Sequence, residues 1–129
     1  MATGFPAATG DVLSAAAFNG LVAYTINAQT GTTYTTVLTD SYQVLITQSN
    51  ASANAIKIPT NASVAHPVGT VITVLNIGAG TCTISAVTSG TTTVLSAGAT
   101  AAAPTLAQYK SAACIKTGTD TWYVVGAIA

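Results

Sequence analysis

Eight short runs rich in β-branched residues, each stopped by a turn-forming cluster, constrain this chain more than any other feature. They are Thr33–Leu38, Tyr42–Gln48, Ala53–Ile58, Thr70–Asn76, Thr81–Val87, Thr92–Leu95, Ala112–Thr117 and Thr121–Gly126. Side chains branched at Cβ lose rotamer freedom in a helix and pack well on a pleated surface. Threonine alone supplies 24 of the 129 residues, which weights the whole chain toward strands. Between the runs stand Ser49-Asn50-Ala51-Ser52, Gly78-Ala79-Gly80, Ser89-Gly90 and Thr117-Gly118-Thr119-Asp120. Strands this short and this often interrupted predict an all-β fold, a β-sandwich or jelly-roll-like domain of about 8–10 short strands. The length suits one such domain with one core.

The runs also predict faces. Thr81–Ile84 and Ser111–Ile115 alternate small polar with apolar residues, as a strand with one wet face does. Thr70–Asn76 reads TVITVLN, apolar at both parities, and is expected to be covered on both sides. Gly78-Ala79-Gly80 is expected to turn it into a hairpin with TCTIS, glycine supplying a positive φ. Trp122 and Tyr123 are adjacent in one run and must point to opposite faces, one into the core and one outward. An outward aromatic is a candidate interface residue.

Met1–Tyr24 has a different character. Ser14 is placed to cap a short helix over Ala15–Val22. Leu13, Ala17, Leu21 and Tyr24 then fall near one face, with Phe18 close by. Two turns are too few to stand alone, so the helix must pack either on its own β core or on a neighbouring molecule. The expected organisation is an N-terminal arm with a short helix over 1–30 and the β domain over 31–129. Phe5, Leu13, Phe18 and Leu21 of the arm join Trp122 and Tyr123 as interface candidates.

Charge is scarce. Asp11, Asp40, Asp120, Lys57, Lys110 and Lys116 are the only acidic or basic side chains apart from His66, and Glu and Arg are absent. Charged residues make up 5% of the chain against about 25% in ordinary soluble domains. Neutral, weakly charged surfaces tend to associate, which points to an obligate assembly. No basic patch is present for nucleic acid. Every apolar run falls well short of the roughly 20 residues that span a bilayer. Met1–Gly10 lacks a basic, then apolar, secretory leader, so synthesis in the cytoplasm is expected.

The search for chemistry finds no constellation. Nucleophilic catalysis needs a nucleophile, a base and a group to orient the base. The single histidine, His66, precedes Pro67 in a turn without a Gly-x-Ser-x-Gly or Cys–His context. Each of the three aspartates stands in a turn or before the helix, where Asp side chains bond backbone N–H groups. Cys82 and Cys114 sit at apolar strand positions and read as reduced core thiols, with no metal-ligand spacing. Gly78-Ala79-Gly80 lacks the lysine of a phosphate loop. The expectation is a protein with no catalytic residues, cofactor or metal. A carbohydrate-binding role would rest on one exposed aromatic and is a weaker alternative.

Three stretches carry a family likeness. Gly10–Val22, GDVLSAAAFNGLV, is similar to the opening of many phage virion proteins. From Leu38 the chain shows an apolar strand, an Asn/Ser-rich turn, Ile-x-Ile-Pro, Pro-Val-Gly-Thr, a second apolar strand and Gly-x-Gly-Thr-x-Thr-Ile. It closes on a Thr-Asp-x-Trp turn and Val-Val-Gly. In this order the motifs resemble bacteriophage virion β-domain proteins, the capsid decoration (cement) proteins and related tail-fibre domains. His66 stands where that pattern has an aromatic such as Phe. The resemblance implies a virion β domain that often trimerises. No heptad-bearing shaft accompanies the motifs, so the expectation is a trimeric decoration protein on the capsid exterior, bridging subunits of the major capsid protein. A tail-fibre or receptor-binding component is the alternative.

Overall fold

A computed structural model of the chain describes residues 23–129, together with Ala15. The strands are β1 (Thr25–Gln29), β2 (Thr33–Thr35), β3 (Val44–Gln48), β4 (Asn54–Ile58) and β5 (Val71–Asn76). They continue as β6 (Cys82–Ala86), β7 (Thr93–Ser96), β8 (Thr105–Leu106), β9 (Ser111–Gly118) and β10 (Thr121–Gly126). A single 3-10 turn covers Leu38–Ser41. The all-β expectation holds, and each of the eight predicted runs overlaps a strand. Two strands went unpredicted: β8, of two residues, and β1, whose Thr25–Gln29 lies within the span assigned to the arm. The predicted helix over Ala15–Val22 and its Ser14 cap lie outside the described residues, apart from Ala15 itself.

The strands form a six-stranded sheet, β1-β3-β5-β9-β10-β7, and a four-stranded sheet, β2-β4-β6-β8. Up to β6 the chain alternates between them. β1, β3 and β5 stack parallel in the large sheet, and β2, β4 and β6 stack parallel in the small one. This half is a coil of three rungs, each rung laying one strand in each sheet. β7 then joins the far edge of the large sheet beside β10, and antiparallel β9 and β10 fill the space between it and β5. Jelly-roll strands pair antiparallel, whereas five of the eight pairs here are parallel.

The coil corrects the expected hairpin. β5 and β6 belong to different sheets, and Gly78-Ala79-Gly80 is the corner that carries the chain between them. Neither glycine takes a positive φ; what each supplies is closeness. A Cβ on Gly78 would lie 2.3 Å from the Asn50 backbone nitrogen, and one on Gly80 would lie 1.9 Å from the Ser52 carbonyl oxygen. The third-rung corner thus sits directly on the second. Backbone bonds join them: Gly78 N–H donates to Gln48 O at 3.1 Å and Gly80 N–H to Asn50 O at 2.9 Å.

Inward side chains of both sheets meet in one core: Val44, Ile46, Ile72, Val74, Cys114 and Trp122 from the large sheet, Ile56, Ile58, Cys82, Ile84 and Leu106 from the small. At the corner end of the rungs, Gln29, Gln48 and Asn76 occupy matching inward positions. Buried Asn76 donates from Nδ2 to Gly80 O and Leu106 O, both at 2.8 Å, and accepts from Gly78 N–H. Its amide ties the corner to β8.

Candidate assembly surface

Parity along each strand of the large sheet settles which side chains face away from the core. On the outer face β1 places Ile26 and Ala28; β3 places Leu45 and Thr47; β5 places Val71, Thr73 and Leu75. β9 adds Ser111, Ala113 and Ile115, β10 adds Tyr123 and Val125, and β7 adds Leu95. These positions form continuous rows. Leu95, Tyr123, Ile115 and Val71 are neighbours across four strands, and Val125, Ala113, Thr73, Leu45 and Ile26 form the next row. No charged residue interrupts them. Ile26 is 56% exposed, Val125 50%, Tyr123 43% and Val71 42%. A shallow depression of about 320 Å³ beside Leu95, Tyr123, Val125 and Ile128 roughens one end.

The small sheet is the contrast. Its outward positions are Thr33, Thr35, Ala55, Lys57, Thr83, Ser85 and Thr105, and Lys57 Nζ donates to Ser85 Oγ at 2.8 Å. One outer face suits water; the other is apolar with hydroxyls and no charge. TVITVLN anticipated this. Its apolar residues at both parities were expected to be covered twice, and the core covers only Ile72 and Val74. Val71 and Leu75 lie on the open side, so within the described residues β5 has one cover rather than two.

The six interface candidates divide. Tyr123 stands in the outer face. Trp122 does not: it is 1% exposed, inside the core, where the pleat turns it away from Tyr123. Phe5, Leu13, Phe18 and Leu21 lie outside the described residues. The residues missed are Ile26, Leu45, Val71, Ile115, Leu95 and Val125. A count of apolar residues at both parities of VLITQ, VITVLN and WYVV would have found Leu45, Val71 and Val125.

Beneath one end of the core lies a polar network built around Asp40, His66, Lys116 and Asp120. Buried Asp40 accepts from Asn27 Nδ2 at 2.9 Å, from the Tyr34 hydroxyl at 2.7 Å and from Val37 N–H at 2.9 Å. Burial, with the Asp40 bond, pushes the Tyr34 phenol up to about 12. His66 bonds Thr36 Oγ1 through Nε2 at 3.1 Å and Ser41 Oγ through Nδ1. Its ring meets the Trp122 indole edge to face at 5.5 Å. Lys116 is buried, donates to Asn61 Oδ1 and to His66 O at 2.7 Å each, and lies 5.9 Å over the Trp122 ring. Asp120 accepts from Asn61 N–H at 2.8 Å and Thr92 Oγ1 at 3.2 Å.

The network ties several loops together. Burial and then the Lys116 charge lower the His66 pKa, keeping the ring neutral. A neutral ring has one donor and one acceptor nitrogen, and hydroxyls occupy both. Desolvation likewise lowers Lys116, against the opposing effect of Asp120. Among the described residues no group of three His, Cys, Asp or Glu side chains is placed to hold a metal. Cys82 and Cys114 are free and buried, and burial pushes their thiols up to about 11 and about 12.

No family model, curated protein or solved structure matches this chain.

Proposed function

We propose that this protein is a non-catalytic structural component that works by assembly, with the outer face of its large sheet as the contact surface. The observation that carries the reading is that uncharged, largely apolar face, made by strands patterned for cover on both sides. Its exposed Ile, Val, Leu and Tyr side chains amount to on the order of 450 Å², at the scale of the largest apolar patch a monomer carries. At about 25 cal/mol per Å² that is roughly 11 kcal/mol of gross burial. Association costs an estimated 4–15 kcal/mol. The face therefore supports a contact but does not make it tight by itself. Three linked copies would turn weak single contacts into a firm attachment.

The particular reading is a bacteriophage capsid decoration protein: a sandwich-like homotrimer on the capsid exterior that stabilises the shell by bridging major capsid subunits. The virion motifs and the scarcity of charge support it. The polar small sheet supplies the surface such a protein turns to solvent. A tail-fibre component would use the same face, and copy number separates the two. Phage particles carrying this chain, reconstructed by electron microscopy, are expected to show it at many equivalent sites on the head. A few copies on the tail would replace the first reading with the second, and absence from particles would overturn both. Deleting residues 2–20 tests the arm: binding to undecorated capsids is expected to be lost while the β domain stays folded.

A further inference from the structure

The two edges of the large sheet differ from those of the small one. The small sheet ends in β2 and β8, of three and two residues, and edges that short offer little for another chain to pair with. The large sheet ends in β1 and β7, of five and four residues. Their sequences, TINAQ and TVLS, contain no lysine, no proline and no other charge. Those are the residues that commonly blunt an edge.

Hydrogen bonding fixes which backbone groups these edges present. Thr25 N–H donates to Gln43 O at 2.8 Å, and Gln29 O accepts from Ser49 N–H at 2.9 Å. Thr25, Asn27 and Gln29 therefore turn their peptide groups toward β3, and Ile26 and Ala28 turn theirs off the sheet. At the other edge Thr93 N–H donates to Asp120 O at 2.7 Å, so the peptide groups of Val94 and Ser96 point off the sheet. An open groove of about 550 Å³ runs beside Val94 and Leu95, walled by Lys57, by Ser85–Val87 and by Ala102 and Ala103.

Direction completes the argument. β1 and β3 run with β5, β9 runs against it, and β10 and β7 run with it again. Among the described residues both edges are open, and they lie on opposite sides of one sheet and run the same way. We propose that β7 of one copy pairs in parallel with β1 of the next, so that the large sheets join head to tail. The contact is heterologous: each copy offers a different edge to each neighbour, and repetition gives a ring if the rotation between copies closes and a filament if it does not. It would also carry the apolar outer face unbroken from copy to copy. A two-fold dimer through β1 alone would pair antiparallel and leave β7 open. The inference rests on the assembly reading only in requiring that the protein self-associates.

The test blocks one edge. Ala28→Pro removes an N–H that no strand among the described residues accepts, and proline is tolerated on edge strands. The full chain carrying Ala28→Pro is expected to show unchanged Trp122 fluorescence and a mass that falls to one chain in sedimentation velocity. Ile26→Lys, which adds a charge to the same edge without touching the backbone, is expected to weaken association at least tenfold. Mixed with tagged wild type, Ala28→Pro should still enter open complexes, because its β7 remains free to take a wild-type β1. Association of Ala28→Pro and Ile26→Lys at wild-type strength overturns the proposal, as does Ala28→Pro left out of every mixed complex. A wild-type chain that stays monomeric overturns both this proposal and self-assembly. Association lost with Val71→Lys but kept with both edge variants overturns edge pairing alone.

Discussion

Gly80→Ala tests the coil at its tightest point. The added Cβ would stand 1.9 Å from Ser52 O, 2.4 Å from Ser52 C and 2.9 Å from Asn50 O, and all three are backbone atoms. No side chain can swing aside. Ordinary contact begins near 3.4 Å, so the corner must lift by about 1.5 Å. That movement breaks the Gly80 N–H to Asn50 O bond and pulls Gly80 O from the buried Asn76 amide. A net backbone bond is worth about 1 kcal/mol, and a buried amide left short of a partner costs about 1–3 kcal/mol. With residual strain, the expected loss is about 3–5 kcal/mol, a large part of the total stability of a domain this size.

The control is Gly90→Ala. That glycine has open space where its Cβ would go and no positive φ, so alanine should stabilise the chain by about 0.4–1 kcal/mol through the unfolded state. Urea unfolding followed by Trp122 fluorescence reads both variants. A Gly80→Ala protein within 1 kcal/mol of wild type would refute the stacking of the 77–81 corner on 49–53. Two flat strands joined by a hairpin would then describe the segment better.

Three further outcomes follow from the same structure. The His66 pKa is lowered by folding, so the unfolded chain binds the extra proton first; stability should fall as pH drops below 6.5, by at most about 1.4 kcal/mol per pH unit. Melting temperatures between pH 7.5 and 5 check this, and a flat profile, or one that His66→Gln leaves unchanged, would refute it. Cys82 and Cys114 are buried with thiols raised to about 11 and about 12, so a disulfide reagent at pH 8 should label neither until denaturant is added; immediate labelling of either would contradict their burial. Val71→Lys places a charge on the outer face of the large sheet and should abolish self-association with the monomer melting as before, whereas Thr83→Lys on the small sheet should leave association intact. Equal behaviour of the two variants in sedimentation would remove the face as the contact surface.

The sequence announced strands well because their signal is local. β-branched runs and turn clusters located eight of ten strands, and the two missed were a two-residue bridge and TINAQ, which follows directly on the arm. Pairing was not legible, since parallel and antiparallel strands carry the same residues and differ in what lies beside them. Rung lengths hid the coil as well. Thr25 pairs with Val44, but Leu45 pairs with Thr73, so successive rungs differ in length and no fixed repeat marks them. Gly78-Ala79-Gly80 misled for a definite reason: glycine serves both a positive φ and a close backbone approach, and only the neighbouring rung distinguishes them. The polar clamp was equally hidden. Lys116 and Asn61 stand 55 positions apart and meet only because β9 runs under the loop that carries His66.

The apolar face was legible in part, and its remainder bears on function. A strand with apolar residues at both parities states that both its sides are covered, but not by what. In β3, β5 and β10 the core accounts for one parity, and the described residues leave the other open. The small sheet, made from the same amino acids, keeps the alternation of a sheet that meets water: Ile56, Ile58 and Ile84 inward, Lys57, Thr83 and Ser85 outward. That difference within one chain argues against a general drift toward hydrophobic composition, which would have touched both sheets alike. It argues for a second cover on the large sheet alone. The same sheet is the one whose edges, β1 and β7, are long enough to pair and carry none of the residues that prevent pairing. In the proposed assembly the face and edges of the large sheet meet other proteins, and the small sheet is left to the solvent.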